Sequence, residues 1–406
     1  MPTHLLQFLG CVFILLGLYI SRAMISIGMM TLLGSALLNV ELRNNWKSFL
    51  KVNYLLLIMF YFLLLSISFF WSEDKHYFAS RLQTILPFLI LPFAFHSFKK
   101  WKENWFQYLL FLFILLNLIG NTYSLITYFS HKEMYDLGYS YSKVIPTPFK
   151  NDHIRYSIAV LLSIIFCVEI YRHQKNNFLK LVLLLIVFYD ILFLHILSAK
   201  TGLLAFYLVA FIFILKLITT PKYRLIGLGS LLSIILLPFL MYQFSSTFKA
   251  KLHYVKYSYE QMKNKEKEGN ISDEGRLISY QYALQSLKQN TFMGVGYGDI
   301  FHEMELHYQK DFEGQNAKVL LPHNQFLVVG LAIGILGIIY LFILQIILFI
   351  KSYQSGFLAS IIWFIFFFAM MIEPLYETQF GTCLFLFMTL FIINRAETVR
   401  SKFRFK

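Results

Sequence analysis

The sequence predicts an all-α protein, a polytopic integral membrane bundle of about twelve spanning helices. Of its 406 residues, 58% are hydrophobic and only 14% are charged, whereas charged residues make up about a quarter of a soluble globular domain. Apolar runs long enough to cross a bilayer recur along the chain. Basic residues gather in every second connection between these runs, as expected of cytoplasmic loops.

The apolar runs predict how the chain is organised. Residues 1–244 are expected to form a first membrane bundle of about nine spans, and residues 245–321 a large outer loop with amphipathic helices. Residues 322–394 carry the last spans, and residues 395–406 form a basic cytoplasmic tail. The expected spans lie near residues 5–20, 24–40, 54–70, 80–95, 106–126, 154–170, 178–197, 202–219, 225–244, 326–350, 357–372 and 381–394.

Charge in the connections predicts the orientation. The even-numbered connections and the tail hold most of the short-loop cations: Arg43, Lys47, Lys51, Lys99, Lys100, Lys102, Arg172, Lys175, Lys222, Arg224, Lys351, Arg395, Arg400, Lys402, Arg404 and Lys406. Both termini are therefore predicted to be cytoplasmic, and the odd-numbered connections face out. The net charge of +14, placed in this way, predicts contact with membrane lipids and not with nucleic acid.

Two outer connections are long, residues 127–153 and 245–321. A structureless loop of the second length would be unusual, so it should carry its own helices or a ligand-binding role. Ser272 and Asp273 offer a helix cap, and Leu277, Tyr280, Leu284 and Leu287 recur at helical spacing until Asn290. This pattern predicts an amphipathic helix that can lie on the membrane face of the protein.

Ionisable side chains within the hydrocarbon region of the membrane or at its boundary are costly to bury and are therefore functional candidates. Four clusters of such residues occur on the predicted outer side. They are Asp152 with His153 and Arg155, Ser198 with Lys200 and Thr201, Arg276 followed by Gly294, Gly296 and Gly298, and Pro322 with His323 and Asn324.

Permanent cations beside a histidine at a membrane surface suit a reaction with a pyrophosphate leaving group and a hydroxyl nucleophile. Arginine offers phosphate oxygens a planar fork, and lysine offers a point charge. Both would neutralise the charge that develops as a sugar leaves its diphosphate. A neutral histidine can accept a proton from the attacking hydroxyl.

Each candidate also has a structural interpretation. His323 can cap the tenth span together with Asn324, Arg276 can be a solvated residue at a helix start, and Lys200 can snorkel at the interface. The three glycines are interpreted as a tight turn that lets the loop pack, since no phosphate-loop signature surrounds them. Glu373 and Glu377 are interpreted as solvated or pairing groups and not as catalysts. For the intramembrane residues, hydrogen bonding between helices is favoured; these are Glu169, Asp190 and His195.

Together, the motifs resemble the O-antigen ligase and polymerase superfamily of bacterial membrane glycosyltransferases. The segments that carry the resemblance are NDHIRYS from residue 151, ILSAKTGLLAFY from 196, EGRLISYQYALQSLKQNTFMGVGYGD from 274, LPHNQFLVVGLAIGILG from 321 and EPLYETQFGTCLF from 373. The stretch from Gly275 to Gly337 is the strongest match.

The resemblance implies a helical GT-C type enzyme of the bacterial inner membrane with a periplasmic active site. Its donor would be an undecaprenyl-diphosphate-linked glycan, and its acceptor lipid A core, another glycan or a protein. By analogy with the superfamily, Arg276 and Lys200 bind the donor diphosphate and His323 activates the acceptor hydroxyl. His153, Arg155 and Asn324 would line the site, and transfer would invert the anomeric centre without a metal or cofactor.

One position departs from the superfamily pattern, since Lys200 stands where an arginine is usual. Lysine keeps the charge but loses the bidentate fork. The motifs favour a ligase, and a polymerase of the same superfamily is the nearest alternative. A flippase for lipid-linked sugars is the alternative of another class, although the sequence lacks the repeated halves that many transporters show.

Overall fold

A computed structural model describes residues 3–98, 103–141, 143–264, 272–312 and 318–404. All regular secondary structure in these ranges is helical, which confirms the predicted fold class. The chain forms two compact units, Met1–Leu112 with Lys267–Lys406 and, separately, Phe113–Glu266. The division into regions predicted from hydropathy along the chain stays a prediction.

The helices are numbered in chain order. Up to the long loop of residues 245–321 they are α1 Thr3–Ile20, α2 Arg22–Leu37, α3 Leu42–Phe49, α4 Asn53–Ile67, α5 Lys75–Ile85, α6 Pro87–His96, α7 Glu103–Ser130, α8 Lys132–Tyr139, α9 Pro148–Asn151, α10 His153–His173, α11 Asn177–Leu197, α12 Lys200–Thr219 and α13 Arg224–Phe244. From the loop onwards they are α14 Ser246–Asn264, α15 Ser272–Gln289, α16 Ile300–Asp311, α17 Gln325–Ser355, α18 Phe357–Ile372 and α19 Gln379–Arg404. Short 3₁₀ turns occupy Ser68–Phe70, Pro221–Tyr223 and Leu375–Glu377.

Every predicted span coincides with helical structure. Within the described ranges, 10 helices are long and apolar enough to cross a membrane, and 11 if the bent pair α2 and α3 counts as one span. The shorter apolar helix α18 adds the remaining predicted span. The protein is therefore a multi-pass membrane protein. Its orientation stays a prediction, and Lys99, Lys100, Lys102 and Lys406 lie outside the described residues.

The unit that contains both chain ends is organised around α6, which is apolar on all sides and almost entirely buried. Such a helix belongs in the interior of a bundle, and α6 contacts α2, α4 and α19.

Glycines bring α1 and α2 close together. A Cβ added at Gly28 would lie 2.7 Å from the Ile14 nitrogen, so only a residue without a side chain permits this approach.

In the unit formed by Phe113–Glu266, α10 is the central helix. Residues 155–167 of α10 are all buried, and α10 contacts both α11 and α12. Asp190 accepts a 2.8 Å hydrogen bond from the Asn121 side chain, and His195 bonds the Tyr207 hydroxyl at 2.7 Å. The predicted hydrogen bonding between helices is thus confirmed for Asp190 and His195.

Glu169 behaves differently from those two residues. Its carboxylate lies 3.7 Å from Arg172 and 3.5 Å from His173, both on its own helix. The described contacts of Glu169 are therefore ion pairs at spacings typical of neighbouring helical turns.

The long connection of residues 245–321 carries α14, α15 and α16. The predicted amphipathic segment is α15, and it ends just before Asn290. Ile278 and Tyr282 are buried on one face, whereas Leu277 and Leu284 remain half exposed. The side chains of Ser272 and Asp273, the predicted cap, lie outside the described residues, and the membrane-facing placement stays a prediction.

Candidate active site

His323 lies immediately before α17, where the large loop returns to the bundle. Asn324 is the N-cap of this helix, because its side-chain oxygen accepts from Phe326 N at 2.8 Å and from Leu327 N at 3.2 Å. The Asn324 amide also donates to the Met371 carbonyl at 2.9 Å. Asn324 alone therefore caps the helix, and the His323 side chain is available for other contacts.

The Glu373 carboxylate connects the two main candidates of this unit. One oxygen lies 2.9 Å from His323 Nδ1, and the other lies 2.6 Å from Arg276 Nη2. The Glu373 side chain is 3% exposed, whereas those of His323 and Arg276 are 20% and 21% exposed. A buried carboxylate thus holds a histidine and an arginine that both reach the surface.

This pairing determines how the imidazole is presented. A carboxylate beside Nδ1 favours the tautomer that carries its proton there, which leaves a lone pair on Nε2. No residue that the structure describes bonds Nε2. The geometry therefore gives His323 a proton-accepting atom and a carboxylate able to stabilise the imidazolium that would form.

Tyr280, one turn after Arg276 on α15, fixes the backbone beside this histidine. Its hydroxyl donates a 2.7 Å hydrogen bond to the His323 carbonyl. The pKa of Tyr280 is raised, chiefly by burial, with Arg276 lowering it and Glu373 raising it. The hydroxyl accordingly stays protonated near neutral pH and remains a donor.

Arg276 retains hydrogen-bonding capacity. Its Nε is buried and has no hydrogen-bond partner in the described ranges, although buried donors are normally satisfied. The partly exposed guanidinium and this unused donor suit an anionic ligand with several oxygens. The interpretation of Arg276 as a merely solvated residue is wrong, because Glu373 pairs with it.

A second buried carboxylate, Glu377, lies next to the first. It pairs with Arg81 Nη2 at 3.0 Å and accepts from the Gln325 amide at 3.3 Å. The Tyr297 hydroxyl lies 3.5 Å from it, and burial is the main cause that raises the pKa of this hydroxyl. Glu373 and Glu377 were expected to be either solvated or paired, and the structure shows both of them paired and buried.

The three glycines form a turn that docks against a break in α17. Ile333 and Gly334 leave the helical conformation, with φ of −140° and +72°. The Ile335 amide donates to Thr291 O at 2.7 Å, and Leu331 O, which would accept from that amide in a regular helix, instead accepts from Val295 N at 2.7 Å. The backbone groups freed at the break are thus satisfied, as a membrane environment requires.

Glycine is required at these turn positions. Gly294 and Gly296 have φ of +66° and +101°, and a Cβ at Gly294 would lie 2.3 Å from Leu331 O. A Cβ at Gly298 would lie 2.5 Å from Asp74 O. The prediction that the glycines form a packing turn is confirmed.

Lys200 belongs to the other unit and begins α12. The tight turn before it is made by Ser198, whose φ of +51° places a non-glycine residue in the left-handed region. The hydroxyl of Tyr139 donates to Leu197 O at 3.0 Å, and burial raises the pKa of this hydroxyl. The turn is thus fixed by a contact from α8, and Lys200 is half-buried at a helix N-terminus.

Arg155 and His153 lie at the start of α10 in this same unit. Arg155 is 7% exposed and its Nη1 donates to Asp152 at 2.8 Å. Asp152 also caps the helix through Arg155 N at 3.2 Å. This ion pair gives Arg155 a structural contact, and the lining roles of His153, Arg155 and Asn324 stay predictions.

Sequence reasoning gave no role to Arg81 and Gln325 and did not foresee that Glu373 holds both His323 and Arg276. A usable signal existed for the carboxylates, because Glu373 and Glu377 lie beside a proline in a short connection between two spans. None existed for Arg81, an isolated cation near the start of a span. In the described ranges, no group of three or more His, Cys, Asp or Glu side chains is arranged to hold a metal ion.

These observations define a class of protein: a helical multi-pass membrane protein with a histidine, an arginine and a shared carboxylate at one end of a group of spans. Residues 185–342 match the family described as O-antigen ligase, a stretch that includes Lys200, Arg276 and His323 and covers less than half of the chain. This match supports the resemblance to the O-antigen ligase and polymerase superfamily that the motifs indicate. No curated protein matches the chain.

Proposed function

We propose that this protein is an O-antigen ligase, which transfers a glycan from an undecaprenyl-diphosphate carrier to an acceptor hydroxyl at the periplasmic face of the bacterial inner membrane. The observation that carries the proposal is the Glu373 carboxylate, which binds His323 at 2.9 Å and Arg276 at 2.6 Å. It joins a potential base and a potential phosphate ligand within one unit.

The proposed reaction is a single displacement. The acceptor oxygen attacks the anomeric carbon as its proton passes to His323 Nε2, and the bond between the anomeric carbon and the diphosphate oxygen breaks. Undecaprenyl diphosphate leaves with the electron pair. One displacement inverts the anomeric centre, and the step as written requires no metal or cofactor.

Arg276 supports the leaving group in this scheme. Its unused N–H and exposed edge can donate to diphosphate oxygens as negative charge accumulates there. Because Glu373 contacts both residues, it balances the arginine charge before the donor binds and the imidazolium charge afterwards. Lys200 as a second diphosphate ligand, and His153, Arg155 and Asn324 as lining residues, are proposed from the motif resemblance.

The test replaces His323 by alanine in a strain that lacks its own copy of the gene. We expect surface glycan to fall by about 100-fold or more, as for loss of a general base, with the variant still inserted in the membrane. His302→Ala, an exposed histidine on α16, is the matched control. Full-length surface glycan in the His323→Ala strain would reject the assignment.

The same strain separates the two members of the superfamily. If the protein is a ligase, whose acceptor would be lipid A core, long polymer accumulates on the lipid carrier. If single repeat units appear on the acceptor instead, the protein is a polymerase. Loss of flipping, seen as donor retained on the cytoplasmic face, would indicate the transporter alternative.

A further inference from the structure

We infer that Arg81 is a positioning residue for His323 and acts through Glu377 and Gln325. The inference rests on the proposed function, in which His323 is the base. Arg81 itself would touch neither donor nor acceptor.

The Arg81 guanidinium binds both the side chain and the backbone of Glu377. Nη2 lies 3.0 Å from a carboxylate oxygen, and Nη1 donates to the Glu377 carbonyl at 3.1 Å. The guanidinium lies over the Tyr77 ring, 4.9 Å from its centroid. With side chains 13% and 4% exposed, this pair is shielded from water, so its geometry is constrained.

Glu377 also binds the first residue of α17, so the ion pair with Arg81 constrains the start of this helix. Its other oxygen accepts from Gln325 Nε2 at 3.3 Å. The side-chain oxygen of Gln325, Oε1, accepts from Tyr376 N at 2.7 Å. Gln325 is fully buried. Both ends of one side chain are therefore bound to the connection between α18 and α19.

The sequence at the start of α17 makes this linkage relevant to the base. His323, Asn324 and Gln325 are consecutive, and each bonds the segment 371–377, through Glu373, Met371 O and Tyr376 with Glu377 respectively. The histidine and its carboxylate thus lie on two segments of chain that three successive contacts hold together. Arg81 binds Glu377, which is the partner of Gln325 and the last residue in this series of contacts.

Removing Arg81 would have an electrostatic consequence as well as a geometric one. Within the described ranges, the charged and titratable groups around His323 are Glu373, Arg276 and Tyr280. Those around Glu377 are Arg81, Tyr61, Tyr77 and Tyr297. Without Arg81, the Glu377 carboxylate is uncompensated in a buried place. Added negative charge favours a protonated imidazole nearby, so neutral His323 should then appear only at higher pH.

The experiment compares Arg81→Gln, Arg81→Lys and the control Arg22→Gln, which removes an exposed arginine of the same unit. Surface glycan is measured in the strain described above. In purified protein, carbethoxylation of His323 by diethyl pyrocarbonate is followed by peptide mass spectrometry from pH 5 to 9, roughly the range in which histidines titrate. His302 serves as the internal reference, and no glycan substrate is needed.

We expect Arg81→Gln to lower transfer by about 10-fold or more and to displace the His323 profile upward by about half a pH unit or more, with His302 unchanged. Arg81→Lys should restore the profile, since it keeps the charge, and restore transfer only in part, since it cannot make both bonds. Normal transfer with an unmoved profile in folded Arg81→Gln overturns the inference.

Loss of folding in Arg81→Gln does not prevent a decision. Arg81→Lys then decides, because wild-type transfer in that variant overturns the inference and a several-fold loss with intact folding supports it. Failure of the proposed function is distinguishable, since wild-type protein would then transfer no glycan while the carbethoxylation profile still responds to Arg81.

Discussion

The imidazole of His323 and the carboxylate of Glu373 are 2.9 Å apart although 50 residues separate them in the chain. The same carboxylate bonds Arg276 at 2.6 Å. A histidine presented in this way has one nitrogen fixed and the other available, which is the arrangement that general base catalysis uses on unrelated folds.

Glu373→Gln should lower glycan transfer by about 100-fold or more. An amide can donate to Nδ1 and so favour the tautomer in which Nε2 carries the proton and cannot accept another. Transfer and protein level are measured in the complemented deletion strain, with Glu305→Gln, on the exposed side of α16, as control. Retention of more than half of the activity would remove Glu373 from the mechanism.

Arg276→Ala should weaken binding of undecaprenyl diphosphate to purified protein by about 10- to 100-fold, the worth of a charge-assisted hydrogen bond. Arg276→Lys should lose less, because it keeps the charge. Lys288→Ala, an exposed cation on the same helix, is the control. Equal loss in both Arg276 variants would point to a strictly bidentate contact, and unchanged binding would exclude the site.

Gly334→Ala should destabilise the protein by about 1 to 3 kcal/mol, the cost of a strained backbone position. The residue has φ of +72°, and an added Cβ would lie 2.4 Å from Phe292 O. Thermal unfolding in detergent measures the effect. Gly34→Ala is the control, because a Cβ there meets nothing within 4 Å; similar melting of both variants would contradict the steric argument.

The predicted orientation can be tested with cysteines. The native Cys11, Cys167 and Cys383 are buried, so background labelling should be low. A membrane-impermeant maleimide should label His302→Cys in intact spheroplasts, and Arg43→Cys only after permeabilisation, because Arg43 lies in a predicted cytoplasmic connection. The opposite pattern would invert the topology and place His323 on the cytoplasmic side.

The sequence predicted which residues form much of the site, but not which of these residues contact one another. Arg276 and His323 stood out because ionisable groups at the ends of apolar runs are costly. The glycine turn was predictable because glycine tolerates positive φ and close backbone approach. The break at Gly334 was not, because the apolar pattern of α17 continues through it without interruption.

The sequence by itself determined the helices and the spans, because an apolar run of sufficient length has only one low-energy arrangement in lipid, and that property is local. Tertiary structure alone decided which carboxylate meets which cation. Arg276 and Glu373 are 97 residues apart and Arg81 and Glu377 are 296 apart, and hydropathy carries no information about such pairs. They form because burying a charge is favourable only beside a partner, and packing of the helices determines which partner is within reach.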